Sequence, residues 1–215
     1  MPKYRLVFQK TGSAKWLSHL DVMHTFARAF LRAGIPLKHS EGFNPHPKIS
    51  IAHPLPVGVE GYGELLDFEA DCPSLERVPE LLNAALPVGL RAIRAYPPQA
   101  AASEIALALY RLTFEYDNGA PAPERLADFF AQETIPVVKR SKKGETEINL
   151  RDAYLSFVAR DAGEGRIEAE VVLDAARAPV NPKYFESALA ETSLKPNYMA
   201  ATREKFLDST EKDFE

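Results

Sequence analysis

Lys48-Ile49-Ser50-Ile51-Ala52-His53-Pro54-Leu55-Pro56-Val57-Gly58-Val59-Glu60-Gly61-Tyr62-Gly63-Glu64-Leu65-Leu66-Asp67-Phe68-Glu69-Ala70 is the stretch whose reading decides the fold. Residues 48–53 and 64–70 each read as a short strand, and the glycine-rich segment 58–63 joins them, so the two pair as a hairpin. Upstream, Ser18 and Asp21 have the spacing of a capping box, with Asp in place of the usual Glu. The spacing predicts a helix from His19 to about Ala33, closed by Gly34 with Pro36 beyond. On it Leu20, Met23, Ala27, Phe30 and Leu31 are expected to form the apolar face, with Asp21, Thr25, Arg28 and Arg32 outward and His24 on the border. Further upstream, Tyr4, Leu6 and Phe8 alternate with Arg5, Val7 and Gln9 at the period of a half-buried strand. Downstream, residues 74–86 have helical spacing through Leu75, Val78, Leu81, Leu82 and Leu86, and residues 90–96 return as a strand. The order is β-α-β-β-α-β, the ferredoxin-like plan.

The order then recurs. After Pro97-Pro98-Gln99 an alanine-rich stretch, residues 100–109, reads as a connector helix. Residues 110–116 alternate as a strand and 123–132 form a helix candidate. Residues 137–139 and 147–150 flank a basic turn, residues 153–160 and 166–173 look like paired strands, and residues 182–191 like a last helix. Residues 208–215 read as a charged, frayed tail. The fold class is therefore α+β, two ferredoxin-like (βαββαβ) halves in tandem, residues 1–98 and 99–215, a repeat of element order and not of residues.

The chain has 215 residues, 46% of them apolar and 26% charged, enough to bury a substantial core. No apolar run approaches the roughly 18 to 20 residues that span a bilayer, and the start lacks the apolar stretch of a secretory signal, so a cytoplasmic protein without membrane contact is expected. The single Cys72 cannot supply a disulfide, a zinc knuckle or an iron–sulfur site by itself. The net charge of −4 is unevenly placed: residues 1–53 hold eight Lys or Arg against two acidic residues, and all five histidines. A local basic region of that kind can bind phosphates on an acidic protein, because screening confines the field to about 8 Å.

Two features there could carry chemistry. His19, at the first turn of its helix, would meet unsatisfied backbone N–H groups, a setting suited to accepting a proton or ligating a metal, or simply to capping the helix end. His46 stands in Gly42-Phe43-Asn44-Pro45-His46-Pro47-Lys48, where two prolines restrict the backbone, so that Asn44, His46 and Lys48 are presented on a preset loop. That loop suits recognition of an anion or polar ligand, or is a rigid turn whose side chains satisfy local groups. Phe43 either stacks on a base or staples the loop to the core. A metal site from His19, His46 and a carboxylate such as Asp21 or Asp67 is conceivable, although no spacing demands it. The turn with Arg140, Lys142 and Lys143 is a solvated hairpin tip or a second polyanion contact. No His-Glu-x-x-His, Cys-x-x-Cys, phosphate-binding glycine loop or Gly-x-Ser-x-Gly elbow occurs.

Trp16-Leu17-Ser18-His19-Leu20-Asp21, Arg28, Ala29, Arg32-Ala33-Gly34-Ile35-Pro36-Leu37, Ser40-Glu41-Gly42-Phe43-Asn44-Pro45-His46-Pro47-Lys48-Ile49-Ser50 and Pro54-Leu55-Pro56-Val57-Gly58 closely resemble the radical-SAM-linked protein family, an uncharacterised domain found beside or fused to radical S-adenosylmethionine enzymes. The resemblance implies a small cytoplasmic bacterial accessory protein. It also implies that the chain holds no cofactor itself and that its partner carries an iron–sulfur cluster and S-adenosylmethionine, in a setting of RNA or ribosome-related modification. Ser18, His19, Asp21, Arg28 and the residues of Gly42-Phe43-Asn44-Pro45-His46-Pro47-Lys48 match the family pattern, whereas His24, His39 and His53 depart from it. The tandem order also looks, more distantly, like CRISPR repeat-processing ribonucleases, without their glycine-rich RNA-binding loop.

The leading expectation is thus a substrate- or RNA-binding partner of a radical enzyme that contacts its ligand through Arg28, Arg32, Phe43, Asn44, His46, Lys48, Arg140, Lys142 and Lys143. The alternatives are an RNA-processing endoribonuclease or metal-assisted hydrolase using His19, His46 and Asp21, and a protein–protein adaptor with no nucleic-acid role.

Overall fold

The computed structural model describes residues 1–72, 74–141 and 144–214. The chain divides into two compact units, Met1–Glu104 together with Asp213 and Phe214, and Ile105–Lys212.

In the first unit β1 (Lys3–Lys10), α1 (His19–Arg32), β2 (Ile49–Ile51), β3 (Glu60–Glu69), α2 (Val78–Asn83) and β4 (Leu90–Tyr96) follow in order, with a 3-10 turn at Leu75–Arg77 leading into α2. Strand β1 lies between β3 and β4, antiparallel to both, and β2 pairs with the end of β3. This is the ferredoxin-like arrangement that the hairpin reading implies. Alternation on β1 and β3 sends Leu6, Phe8, Leu66 and Phe68 to one face, where α1 and α2 cover them. Phe8 meets Phe26 edge-on at 4.8 Å and Phe30 packs on Phe68 at 4.9 Å. On the opposite face Arg5 and Asp67 stand across from one another in register.

The buried face of α1 is rotated from the expected one and shares Phe30 with it. Val22, Phe26, Ala29 and Phe30 enter the core, while Leu20 and Leu31 are 64% and 80% exposed. Both sets have helical spacing, so periodicity alone cannot choose between them; the aromatic set fills the volume above β1 and β3.

The second unit repeats the plan with β5 (Leu107–Glu115), α3 (Pro123–Phe130), β8 (Tyr154–Gly163), β9 (Arg166–Asp174), α4 (Lys183–Leu189) and β10 (Tyr198–Leu207). Their order is β10-β5-β9-β8, again antiparallel. Between α3 and β8 a separate hairpin is inserted, β6 (Pro136–Ser141) with β7 (Gly144–Asn149). Phe130, Phe157 and Phe185 form the aromatic centre of this core.

Two expectations fail here, and one strand has no counterpart among them. The alanine-rich stretch holds only a 3-10 turn at Ala102–Glu104 before β5 begins, because burial of Leu107 and Ala108 in the sheet outweighs the helix preference of alanine. Strand β10 was not foreseen: buried Arg203 and a register shift between Arg203 and Lys205 break its alternation. Residues 208–214 are not frayed. The Asp208 carboxylate accepts backbone N–H groups of Thr210 (2.7 Å) and Lys212 (3.1 Å), and Phe214 is buried against the Arg5 guanidinium, 5.3 Å from its ring centroid.

Candidate functional site

The site grows out of the first turn of α1. The Ser18 Oγ accepts the Asp21 backbone N–H at 3.2 Å, while the Asp21 carboxylate accepts the Ser18 backbone N–H at 3.1 Å and its hydroxyl at 2.6 Å. The capping box is therefore complete. The hydrogen bonds from Ser18 hold the Asp21 carboxyl below the usual range. Asp21 is thus occupied in capping the start of the helix.

His19, beside this cap, is exposed at the rim of a small recess whose other polar walls are Lys10 and Glu64. Both are inside: Lys10 is 3% and Glu64 1% exposed. Sequence reasoning missed them. Their signal was phase, since Lys10 falls on the same side of β1 as Leu6 and Phe8, and Glu64 on the same side of β3 as Leu66 and Phe68. Gly61 stands across from Lys10, and a Cβ there would lie 2.4 Å from the Glu64 carboxylate oxygen, so the glycine leaves the room that the carboxylate uses. Ile51, Pro54 and Leu55 supply apolar walls.

His46 belongs to a different part of the same unit and does not line that recess. Its Nδ1 lies 2.9 Å from the Ser40 Oγ, which also accepts the His46 backbone N–H at 3.1 Å, and the Ser40 backbone N–H donates to the His46 carbonyl at 2.9 Å. A bridge between His39 and Pro47 and a 2.7 Å bond from the Lys48 N–H to the Lys38 carbonyl close the base of the loop. The ring of His46 thus fastens the loop, whose tip, residues 42–45, is exposed. Phe43 is fully exposed and does not staple the loop to the core. Lys38 and Lys48 share Glu69 at 3.1 and 3.6 Å. Hydrogen bonding and charge attraction raise Lys38 and lower Glu69, so part of the positive charge of the loop base is neutralised.

Arg28 is exposed on α1 and makes no hydrogen bond or ion pair among the described residues. With Ala27, Leu31, Pro36, His39 and Pro47 it lines an apolar groove of about 370 Å³ between α1 and the loop base. Arg32 instead donates to the Ala85 carbonyl at 2.8 Å, joining α1 to the end of α2. Asp67 is engaged by Arg5 (2.7 Å) and Lys3 (3.0 Å). Among the described residues no group of three or more His, Cys, Asp or Glu side chains is arranged to hold a metal ion. The backbone of Arg140 lies in β6 across from Glu145, and Lys142 and Lys143 fall outside the described residues. No helix among the described residues is long and apolar enough to cross a membrane.

Fold and site together define a tandem ferredoxin-like α+β protein whose exposed loop and single-helix surface lie in the first unit. The chain belongs to the family described as "Uncharacterized protein conserved in bacteria (DUF2344)", whose model matches residues 3–182. Among solved structures it is similar to a chain of a Cbf5-Nop10-Gar1 complex, with a TM-score of 0.53 and 8% identity over 94% of this chain and 48% of that one. The chain thus spans about half the length of that structure, and at this identity the likeness is one of fold. A structure described as "putative glycine cleavage system transcriptional repressor" aligns over 96% of this chain and 98% of its own at 14% identity, with a TM-score of only 0.26. No curated protein matches the sequence.

Proposed function

We propose that this chain is a cytoplasmic RNA-binding partner of a radical S-adenosylmethionine enzyme and presents RNA to it for modification. The radical chemistry, with its iron–sulfur cluster and S-adenosylmethionine, resides on the partner. The observation that carries the reading is Phe43: a phenyl ring fully exposed at the tip of a loop that is fastened at its base by Ser40, His46 and Pro47. A large apolar ring held out in water by a constrained loop has little structural use, and aromatic platforms of this kind stack unpaired bases. Asn44 beside it offers a donor and an acceptor to a base edge, and Arg28, without a hydrogen bond or ion pair among the described residues, offers a guanidinium to the backbone. The resemblance of residues 16–69 to radical-SAM-linked proteins supplies the partner class.

Two substitutions separate the roles. Phe43→Ala should weaken binding of a single-stranded oligoribonucleotide by about 5- to 150-fold, the range of one lost stacking contact, and leave its salt dependence unchanged. Arg28→Ala should weaken binding and lower the slope of log K against log salt by about 0.7, one phosphate contact on a single strand. Fluorescence anisotropy between 50 and 200 mM salt, on the order of the usual window, measures both, with circular dichroism checking the fold. Salt-independent binding, or wild-type affinity in both variants, would remove the basis for the proposal.

A further inference from the structure

We infer that the groove between α1 and the base of the Phe43 loop holds one unpaired base of the bound RNA. The inference rests on the RNA-binding reading above and adds a second nucleotide contact to it.

The groove follows from how α1 packs and how the chain leaves it. With Phe26 and Phe30 turned into the core, Ala27 and Leu31, four residues apart, share an outer face, and Leu31 is 80% exposed there. Gly34 turns the chain in a left-handed conformation, and the Ile35 N–H donates to the Phe30 carbonyl at 3.0 Å. Residues 35–37 then form the wall opposite the helix. Leu37 is bridged to Ala70, and the Lys38 N–H donates to the Glu69 carbonyl at 2.8 Å, which ties that wall to the end of β3. Pro36 and Pro47 restrict the backbone further, so the groove is shaped before a ligand arrives.

Size and chemistry select the occupant. Its volume of about 370 Å³ lies at the lower end of the range for small-ligand clefts, roughly 300 to 1,000 Å³. Small Ala27 leaves the floor open, and the two proline rings offer flat apolar faces, which suit a flat ring. Arg28 carries the one full charge among the described lining residues, has no hydrogen bond or ion pair among the described residues, and no carboxylate lines the groove beside it. A ligand with an apolar body and a negative edge is therefore favoured, and a nucleotide is one: its base enters and its phosphate meets Arg28. His39 supplies a polar contact. Its Nδ1 lies 3.0 Å from the Leu37 carbonyl, which can only accept, so Nδ1 donates and Nε2 of the neutral ring remains an acceptor. The N–H groups of a base edge match that acceptor, whereas the aliphatic side chains of a partner protein do not.

Position agrees. His39 and Pro47, which line the groove, are bridged to one another at the base of the loop whose tip carries Phe43. Four residues separate Pro47 from Phe43, at most about 14 Å of chain. A base stacked on Phe43 and a base in the groove thus belong to one short single-stranded stretch.

The test uses the full chain and two probes that differ in the base alone, adenosine 5′-monophosphate and ribose 5-phosphate, titrated by NMR. The adenosine nucleotide should shift the amide resonances of Ala27, Leu31 and His39 saturably, and ribose 5-phosphate should bind there at least about fivefold more weakly, the least that one stacked base contributes. Ala27→Phe, which fills the groove, should abolish that difference and weaken binding of a single-stranded oligoribonucleotide by about 5- to 150-fold. Phe43→Ala should leave the nucleotide shifts in the groove as they were. Where circular dichroism shows Ala27→Phe unfolded, Leu31→Ser, at an exposed wall position, should narrow the difference between the two probes instead. Equal binding of the two probes, no shifts in the groove, or full oligoribonucleotide affinity in folded Ala27→Phe would overturn the groove inference. In each of those cases the RNA-binding reading stands if the oligoribonucleotide binds and Phe43→Ala weakens it. Failure of the oligoribonucleotide to bind the unaltered chain would overturn both.

Discussion

Arg5 is fully buried on β1 with Asp67 directly across from it on β3, joined through Nε–Oδ1 and Nη2–Oδ2 at 2.7 and 3.1 Å, and Lys3 adds a third contact at 3.0 Å. Burial by itself would push the Asp67 carboxyl up, but the hydrogen bonds and charges of Arg5 and Lys3 outweigh it and hold the group below its ordinary value. A lowered folded-state value means that the unfolded chain takes up the proton first as pH drops. The stabilisation is present above the ordinary carboxylate value of about 3.9 and is lost as pH falls through the folded one. Asp67→Ala leaves a buried guanidinium without its partner and should cost about 3–5 kcal/mol at pH 7. Urea denaturation should show that difference shrinking below about pH 4; a gap unchanged by acid would mean that Asp67 carries no such linkage. Residue identity alone did not reveal which charges are inside. Arg5 falls on the side of β1 opposite Leu6 and Phe8 and reads as solvated, whereas Lys10 and Glu64 fall in phase with the core and could have been noticed for that reason.

Helix α1 shows how far local pattern reaches. Its start was legible because a capping box is written in two residues, Ser18 and Asp21, and its end because Gly34 adopts φ +69°, a left-handed conformation that suits glycine. Its rotation about its own axis was not legible, since the tertiary partner decides which of two apolar stripes is buried. The consequence is measurable: Phe26→Ala should cost about 3–5 kcal/mol and Leu31→Ser less than about 0.5, by chemical denaturation. Similar losses in the two variants would mean that the helix packs by its other stripe. The same distinction explains the loop of residues 42–48. Its prolines announce a constrained shape, but the fastening bond from Ser40 to the His46 ring depends on a closure that only the fold brings about. The His46 ring is therefore the clasp of the loop that carries Phe43.

At the scale of the whole molecule, two units follow one plan with almost no shared residues, which was readable as a recurrence of element order from the hairpin of β2 and β3 outward. The second unit was harder to read because the β6–β7 insertion separates α3 from β8 and because a buried arginine interrupts β10. The closing residues also take part: Phe214 packs against Arg5 of the first unit. Ending the chain after Asp208 should cost about 1.5–3 kcal/mol, the worth of one buried phenyl side chain; an unchanged midpoint would restore the view of those residues as a loose tail. The central claim concerns where RNA lies on the molecule, and photo-crosslinking addresses it most directly. Single-stranded RNA bearing 4-thiouridine, irradiated with the full chain and mapped by mass spectrometry, should leave its adducts in residues 38–48, centred on Phe43, and lose them in Phe43→Ala. Adducts confined to residues 105–212, or none at saturating RNA, would contradict the account.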